Sequence, residues 1–139
     1  MRFSKSEIEI IQFLYEWVRP IRIGDLKNYL NKPHSSLNSI IRRLERNKIV
    51  TWKKYGPVEL TNKGKEKGAH FSRHHALMEI LLVEGLQMNA KDAHEESLEH
   101  ASFLSCRVID LIAQQYEFVK AACGMEIPQS EGYCPKETK

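Results

Sequence analysis

Apolar residues recur at helical spacing over the first third of the chain and predict three helices. Residues 4–7, Ser-Lys-Ser-Glu, have the spacing of a capping box, and the apolar stripe that follows predicts a first helix over residues 5–17, ended by Pro20. The pattern continues with a short second helix over residues 24–30 and, after a turn, a third over residues 34–47. The third helix has one apolar stripe, and its other face is polar and basic.

Two short apolar runs around a Gly-Pro turn follow the third helix and predict a β-hairpin of residues 49–52 and 58–60. Three helices and a basic hairpin, in this order, are typical of a winged helix-turn-helix. Small polar side chains suit base edges in the major groove, and cations suit phosphates. A solvated basic face and a protein-binding winged helix are the alternatives. The candidate DNA-binding residues are Ser35, Ser36, Asn38, Ser39, Arg42, Arg43, Lys53 and Lys54.

The second half of the chain is predicted to be helical. A fourth helix begins at Thr61 or Asn62 and runs to about Glu84, a fifth covers residues 90–104, and a sixth covers residues 107–121. The predicted fold class is therefore mostly α with a small β-hairpin wing.

Charge divides the chain at nearly the same point as the predicted elements. Residues 1–73 hold 16 Lys and Arg against 7 Asp and Glu, a net charge of +9, whereas residues 74–139 hold 5 against 11, a net charge of −6. This asymmetry suggests a basic module for a polyanion joined to an acidic module with another task. We expect a winged helix-turn-helix domain over residues 1–72 and a helical domain over residues 73–139, loosely ordered from Gly124.

Composition narrows the class of protein further. The chain has 139 residues and 42% hydrophobic residues, enough for a buried core, and no apolar run long enough to cross a bilayer. The N-terminus has no signal-peptide core, so we expect a cytoplasmic protein. Cys106, Cys123 and Cys134 are odd in number and form no CxxC pair, which argues against a disulfide framework and favours thiols that are simply buried.

Histidines and carboxylates cluster where the acidic half begins. His75 and Glu79 are four residues apart on the fourth helix, and Glu96, Glu99 and His100 stand at i, i+3 and i+4 on the fifth. Imidazole and carboxylate suit Mn(II), Fe(II), Co(II), Ni(II) or Zn(II). A water-facing polar stripe is the alternative. The spacing matches no zinc-protease motif, so an enzyme is the weaker hypothesis.

Four segments together resemble the diphtheria-toxin-repressor and manganese-transport-regulator family of metal-dependent transcription factors. They are residues 32–44 in the recognition helix, 60–65 after the wing, and 73–79 and 96–100 on the ligand-bearing helices. The resemblance covers about residues 5–120. It implies a winged-helix domain joined by the fourth helix to a C-terminal helical domain for metal binding and dimerisation.

The resemblance also implies a ligand set. Glu79 matches a ligand of an ancillary site in the iron-responsive branch, and Asp92 stands where that branch has a further histidine. Gln12 replaces the acid that is usual in the manganese branch. His74 and His94 are expected to be polar surface or interface groups. The family's principal ligands fall on Glu9, Gln12, His75, Glu96, Glu99 and His100.

The resulting hypothesis is a homodimeric, metal-activated repressor that controls metal homeostasis. Mn(II) or Fe(II) is the expected cofactor, with Co, Ni or Zn as surrogates, and a double-stranded DNA operator is the expected partner. The alternative is a metal-independent winged-helix regulator whose acidic half is structural or senses another ligand.

Overall fold

The computed structural model describes residues 2–17, 19–117, 120–124 and 126–128. The chain divides into two compact units, Met1–Gly68 and Ala69–Lys139, at a point inside the fourth helix. No described helix combines the length and the apolar character needed to span a membrane.

The first unit begins with three helices, α1 (Lys5–Glu16), α2 (Ile23–Leu30) and α3 (His34–Arg46). Ser4 and Glu7 form the predicted capping box at the start of α1. Asn31 ends α2 in the left-handed region, at φ 52°. The helices bury a shared apolar core in which each side chain is fully inaccessible: Ile10, Ile11, Leu26, Leu37, Ile41 and Leu44.

The hairpin follows α3 as predicted. Strands β1 (Val50–Trp52) and β2 (Val58–Leu60) pair antiparallel with Thr51 opposite Glu59. Ile21 adds a bridge to β2, since the N–H of Val58 donates to its carbonyl oxygen. These elements in this order form a winged helix-turn-helix.

Helix α4 (Asn62–Ile80) starts in the first unit and ends in the second. The Thr61 hydroxyl accepts from the N–H of Gly64 and donates to the carbonyl oxygen of Lys48, which precedes β1, so Thr61 acts as the cap. Gly64 is required here because a Cβ would collide with the carbonyl oxygen of Ile49.

The second unit packs the C-terminal half of α4 against two further helices. After a π-helical turn (Leu81–Gly85), α5 runs over Ala90–His100 with Asn89 as its cap, followed by a 3₁₀ turn (Ala101–Phe103) and α6 (Cys106–Gln115). The apolar core of this unit consists of Leu77, Ile80, Ile109 and Ile112.

The two last helices are shorter than predicted. α5 ends at His100 rather than Leu104, and α6 ends at Gln115 rather than Ala121. Tyr116 is already extended, and the chain then turns back so that Lys120 bridges Glu126. A tertiary hydrogen bond from this returning segment to α4 replaces the last turns of the predicted helix. Most of the predicted loose tail lies outside the described residues.

Candidate metal centre and nucleic-acid interface

The exposed face of α3 carries most of the candidate DNA-binding side chains. Ser35, Ser36 and Ser39 are exposed on its first two turns. Asn38 is half-buried, and its Oδ1 atom has no hydrogen-bond partner within the described part of the chain. The sequence-based assignment of these residues to DNA stays a prediction.

Two arginines on α3 are held by neighbours inside the first unit. The Arg43 guanidinium lies 3.1 Å from the Glu7 carboxylate, which ties α3 to the start of α1. The Arg42 guanidinium lies 5.3 Å from the ring centroid of Trp52, a cation–π contact with the wing. These contacts hold the two guanidinium groups in place. Both arginines are exposed, so an anion in solution can still reach them.

The tip of the wing is basic and exposed. Lys53 and Lys54 are exposed, and the Lys54 ammonium lies 5.3 Å from the ring centroid of Tyr55. Tyr55 is 84% exposed and has a φ of 64°, which turns the chain at the tip. Exposed cations are the side-chain type that binds phosphates, and the assignment of Lys53 and Lys54 to DNA stays a prediction.

Four side chains of the second unit meet in one group, which we call the α4–α5 cluster: His75, Glu79, His94 and Cys123. Their ligand atoms all lie within 4.8 Å of one another. Oε2 of Glu79 lies 3.0 Å from Nε2 of His75 and 3.3 Å from Nδ1 of His94. The backbone N–H of Cys123 donates a 2.6 Å hydrogen bond to Oε1 of the same carboxylate. Glu79 is therefore the centre of the cluster.

Glu79 stays ionised although it is fully buried. Burial by itself raises the pKa of Glu79, but the contacts with His75 and Cys123 outweigh it and lower the pKa to about 2. A buried charge needs a partner of opposite sign or a metal ion. The cluster thus places a buried negative charge beside two imidazoles and a thiol, which are ligand types that a transition-metal ion uses.

His75 supplies the second requirement, ligand atoms with unused capacity. The side chain is 1% exposed, and neither ring nitrogen has a well-formed hydrogen bond to a described residue. Nε2 is close to Glu79 but out of line for a hydrogen bond. Leaving a buried polar atom unsatisfied costs about 1–3 kcal/mol. Metal coordination is a physical reason for an imidazole to be held in this state.

Glu96, Glu99 and His100, which we call the α5 triplet, lie outside the cluster. All three are exposed, and Nε2 of His100 lies 3.6 Å from Oε2 of Glu96. Because a helix turns by about 100° per residue, these positions lie about 140° to 240° around α5 from His94. The face that brings His94 to Glu79 therefore turns the triplet to solvent.

The remaining ligand candidates have local partners. Glu9 pairs with Lys32 at 3.3 Å, and Gln12 donates a 3.0 Å hydrogen bond to Glu16, all within the first unit. Asp92 exchanges hydrogen bonds with the cap residue Asn89 at the start of α5. Glu9, Gln12 and the α5 triplet as metal ligands stay predictions.

His74 is not the surface group that we expected. It is 1% exposed, and Nδ1 lies 3.2 Å from the carbonyl oxygen of Ala101. Burial and the neighbouring His70 lower the pKa of His74 to about 4, so the ring is neutral at physiological pH. It belongs to a second group, with His70 and Cys106, that shares no residue with the α4–α5 cluster.

His94 and Cys123 were missed as members of the cluster. His94 lies on α5, so the helical repeat by itself predicts that its side chain lies on a different face from the α5 triplet. Which of the two faces meets α4 depends on packing. Cys123 carries no local signal, because it reaches Glu79 only after the chain turns back beyond α6.

A winged helix on a basic unit, followed by a helical unit whose metal-type ligands meet around a buried glutamate, defines the class of metal-dependent transcriptional regulators. A family model described as the iron dependent repressor, metal binding and dimerisation domain, matches residues 61–129. An uncharacterized HTH-type transcriptional regulator of Methanocaldococcus jannaschii is 35% identical over 94 residues, covering 66% of this chain and 75% of the relative. The transcriptional regulator MntR of Listeria welshimeri is 30% identical over 112 residues, covering 80% and 78%.

Solved structures have the same fold. The T. acidophilum IdeR structure superposes with a TM-score of 0.76 at 22% identity and covers 95% of this chain. A manganese-dependent transcriptional repressor in complex with manganese gives 0.74 at 21% identity and covers 90%. The chain spans only 62% and 63% of the lengths of these two proteins.

The chain belongs to the diphtheria-toxin-repressor and manganese-transport-regulator family of metal-dependent transcriptional regulators. The resemblance inferred from the four segments and the predicted fold class are thereby confirmed. Its relatives are named as regulators of transcription, and the family is not one of enzymes. The metal-responsive hypothesis is favoured over the metal-independent alternative.

Proposed function

We propose that this protein is a homodimeric repressor whose affinity for operator DNA is set by a divalent metal held in the α4–α5 cluster. The observation that carries the proposal is the convergence of two imidazoles and a thiol on the buried, ionised carboxylate of Glu79. All four ligand atoms lie within 4.8 Å of one another. Regulators of this class need a ligand site whose occupancy favours the DNA-competent arrangement over the other.

The donor set fits a transition metal of the Fe(II) type. Carboxylate and imidazole suit Mn(II) and Fe(II) alike, whereas a thiol favours the softer ions over manganese. Relatives are named for both manganese and iron, so both metals belong in the test. We propose Fe(II) as the resident ion, with Co(II) and Zn(II) as surrogates that occupy the same donors.

The cluster residues act by joining three segments of the second unit. Glu79 lies on α4, His94 on α5, and Cys123 on the segment that returns after α6. A bound cation would neutralise the Glu79 carboxylate and link these segments through one set of bonds. His75 and His94 would each contribute a ring nitrogen, since each ring already has a nitrogen within 3.3 Å of Oε2 of that carboxylate.

The first unit contributes the DNA contacts. The small polar side chains of α3 would face base edges, and Arg42 with Lys53 and Lys54 would bind phosphates on either side. In a dimer the two recognition helices would enter successive major grooves about 34 Å apart. The excess of positive charge over residues 1–73 supports a polyanionic partner.

Two histidines on α5 provide a matched test of the site. His94 lies in the α4–α5 cluster and His100 in the α5 triplet, six residues further along the same helix. We expect His94→Ala to abolish the dependence of DNA binding on Fe(II) or Mn(II), measured anaerobically by fluorescence anisotropy of a labelled operator. His100→Ala should keep it. The opposite result would assign the site to the triplet, and DNA affinity that ignores both metal and chelator would refute metal control.

A further inference from the structure

A second group of soft ligands lies on the second unit, apart from the α4–α5 cluster. His70 and His74 stand one turn apart on α4, and Cys106 is the first residue of α6. The three ligand atoms lie within 4.8 Å of one another. The His70 and His74 ring centroids are 4.2 Å apart, and Nε2 of His74 lies 3.7 Å from Sγ of Cys106.

The hydrogen bond of His74 prepares its ring for coordination. The carbonyl oxygen of Ala101 can only accept, so Nδ1 of His74 must carry the proton that it shares at 3.2 Å. The proton on Nδ1 leaves a lone pair on Nε2, the atom that faces Cys106. Ligating histidines are commonly fixed in this way by a backbone carbonyl on the other nitrogen.

Cys106 lies at the N-terminus of α6. It occupies the first position of the ten-residue helix α6, directly after the cap residue Ser105. Partial positive charge at a helix N-terminus favours a negatively charged ligand there. The residue is half-buried, which leaves a path for an ion to reach the sulfur atom.

Adjacent positions on α4 keep the two groups separate. His74 and His75 are about 100° apart around the helix, so one ring meets Cys106 while the other meets Glu79. The second group has no carboxylate among its three ligands. Two imidazoles and a thiolate select Zn(II) or Co(II) over Mn(II), which prefers oxygen ligands.

We propose that His70, His74 and Cys106 form a second metal site, for an ion of the zinc class, that links α4 to α6. Three protein ligands leave the fourth position of a tetrahedral ion to water. This site is additional to the proposed function and does not depend on it.

The test uses the thiol as a reporter. All proteins carry Cys134→Ser, which removes the cysteine outside the described residues. The full-length parent, Cys106→Ser and Cys123→Ser are dialysed against Zn(II) for stoichiometry and against Co(II) for the thiolate-to-cobalt charge-transfer band. We expect two ions in the parent and in Cys123→Ser, whose cluster keeps three ligands, and one ion in Cys106→Ser. The charge-transfer intensity should fall to about half in each serine variant, because each loses one thiolate.

The two sites can fail independently. Cys106→Ser should still show metal-dependent DNA binding, because the α4–α5 cluster is intact. His70→Gln provides a second route to the same loss and should weaken the second ion by about 100-fold or more. Circular dichroism checks that Cys106→Ser keeps a native fold. If its metal stoichiometry and charge-transfer band are then unchanged, Cys106 only forms a hydrogen bond with His74 and the proposal is overturned. A parent that binds one ion, with a charge-transfer band that only Cys123→Ser abolishes, would also overturn it.

Discussion

The α4–α5 cluster and the α5 triplet contain the same kinds of ligand on neighbouring helices, yet their physical states are opposite. Glu79 is fully buried and His75 is 1% exposed, whereas Glu96 and His100 of the triplet are 53% and 60% exposed. The cluster draws on three segments of the chain, and the triplet lies on a single helix.

This difference shows why ligand type and spacing do not by themselves define a site. Exposed carboxylates keep their water and must be ordered before they can bind an ion, so exposed ion pairs are worth little. In the cluster, folding has already removed water from the carboxylate and placed the imidazoles beside it. Folding therefore preorganises the cluster around Glu79 for an ion.

The largest expected effect contrasts Glu79→Gln with Glu99→Gln. The amide removes the charge of the cluster and keeps its shape, so we expect the metal concentration for half-maximal DNA binding to rise by about 100-fold or more, equivalent to at least about 2.7 kcal/mol. Glu99→Gln should shift it by less than about 3-fold. Metal titrations of operator binding by anisotropy measure both values. If only Glu99→Gln raised this metal concentration strongly, the metal site would lie in the triplet and not in the cluster.

The second prediction separates metal binding from DNA binding. An ion that binds only the folded protein stabilises it by about 2.7 kcal/mol at a free concentration of 100 times its Kd. All proteins in this test carry Cys106→Ser, which removes the second site. Urea unfolding with and without Co(II) should then show this gain in the parent and in His100→Ala. His75→Ala should lose it, because the buried imidazole is a ligand. Equal gains in all three proteins would place the stabilising ion elsewhere.

Much of the fold could be predicted from sequence because its signals are local. The Ser4–Glu7 capping box, the cap at Asn89 and the hairpin around Gly56-Pro57 are each written in a few consecutive residues. The predicted end of α6 was wrong because the true end depends on a tertiary contact. The helix ends at Gln115, and the N–H of Cys123 then donates to Glu79.

The candidate site could be predicted only in part for the same reason. His75 and Glu79 are neighbours on one helix, so their spacing was informative. His94 and Cys123 join them through packing between segments, and no short-range pattern encodes that packing. The family resemblance identified the class of protein and directed attention to α5, but the face of α5 that meets α4 is decided by which side chains are buried.

A pH experiment tests whether the buried imidazole of His74 affects stability differently from the exposed imidazole of the α5 triplet. The pKa of His74 falls from an ordinary 6.5 to about 4 in the folded protein. The unfolded chain therefore takes up the proton first as the pH falls, and stability present above 6.5 is lost between 6.5 and 4. In chelator, wild type should lose about 2 kcal/mol more than His74→Gln between about pH 7.5 and about pH 5.

The control for this experiment is His100→Gln, which removes an exposed imidazole from the triplet. Its loss of stability on acidification should equal that of wild type, measured by urea unfolding at both pH values. A wild-type protein whose pH dependence matches that of His74→Gln would show that burial does not hold the His74 ring neutral.

The smallest expected effect concerns the wing. It tests whether metal binding belongs to the second unit alone. Lys53 and Lys54 are exposed on the hairpin, so Lys53→Ala/Lys54→Ala should weaken operator binding several-fold and reduce its salt dependence by about 1 in log–log slope for each phosphate that the variant no longer neutralises. Lys91→Ala, an exposed lysine on α5, is the matched control and should leave the slope unchanged. The metal-dependent gain in urea stability should be the same in all three proteins. A smaller gain in the wing variant would mean that metal binding is not confined to the second unit.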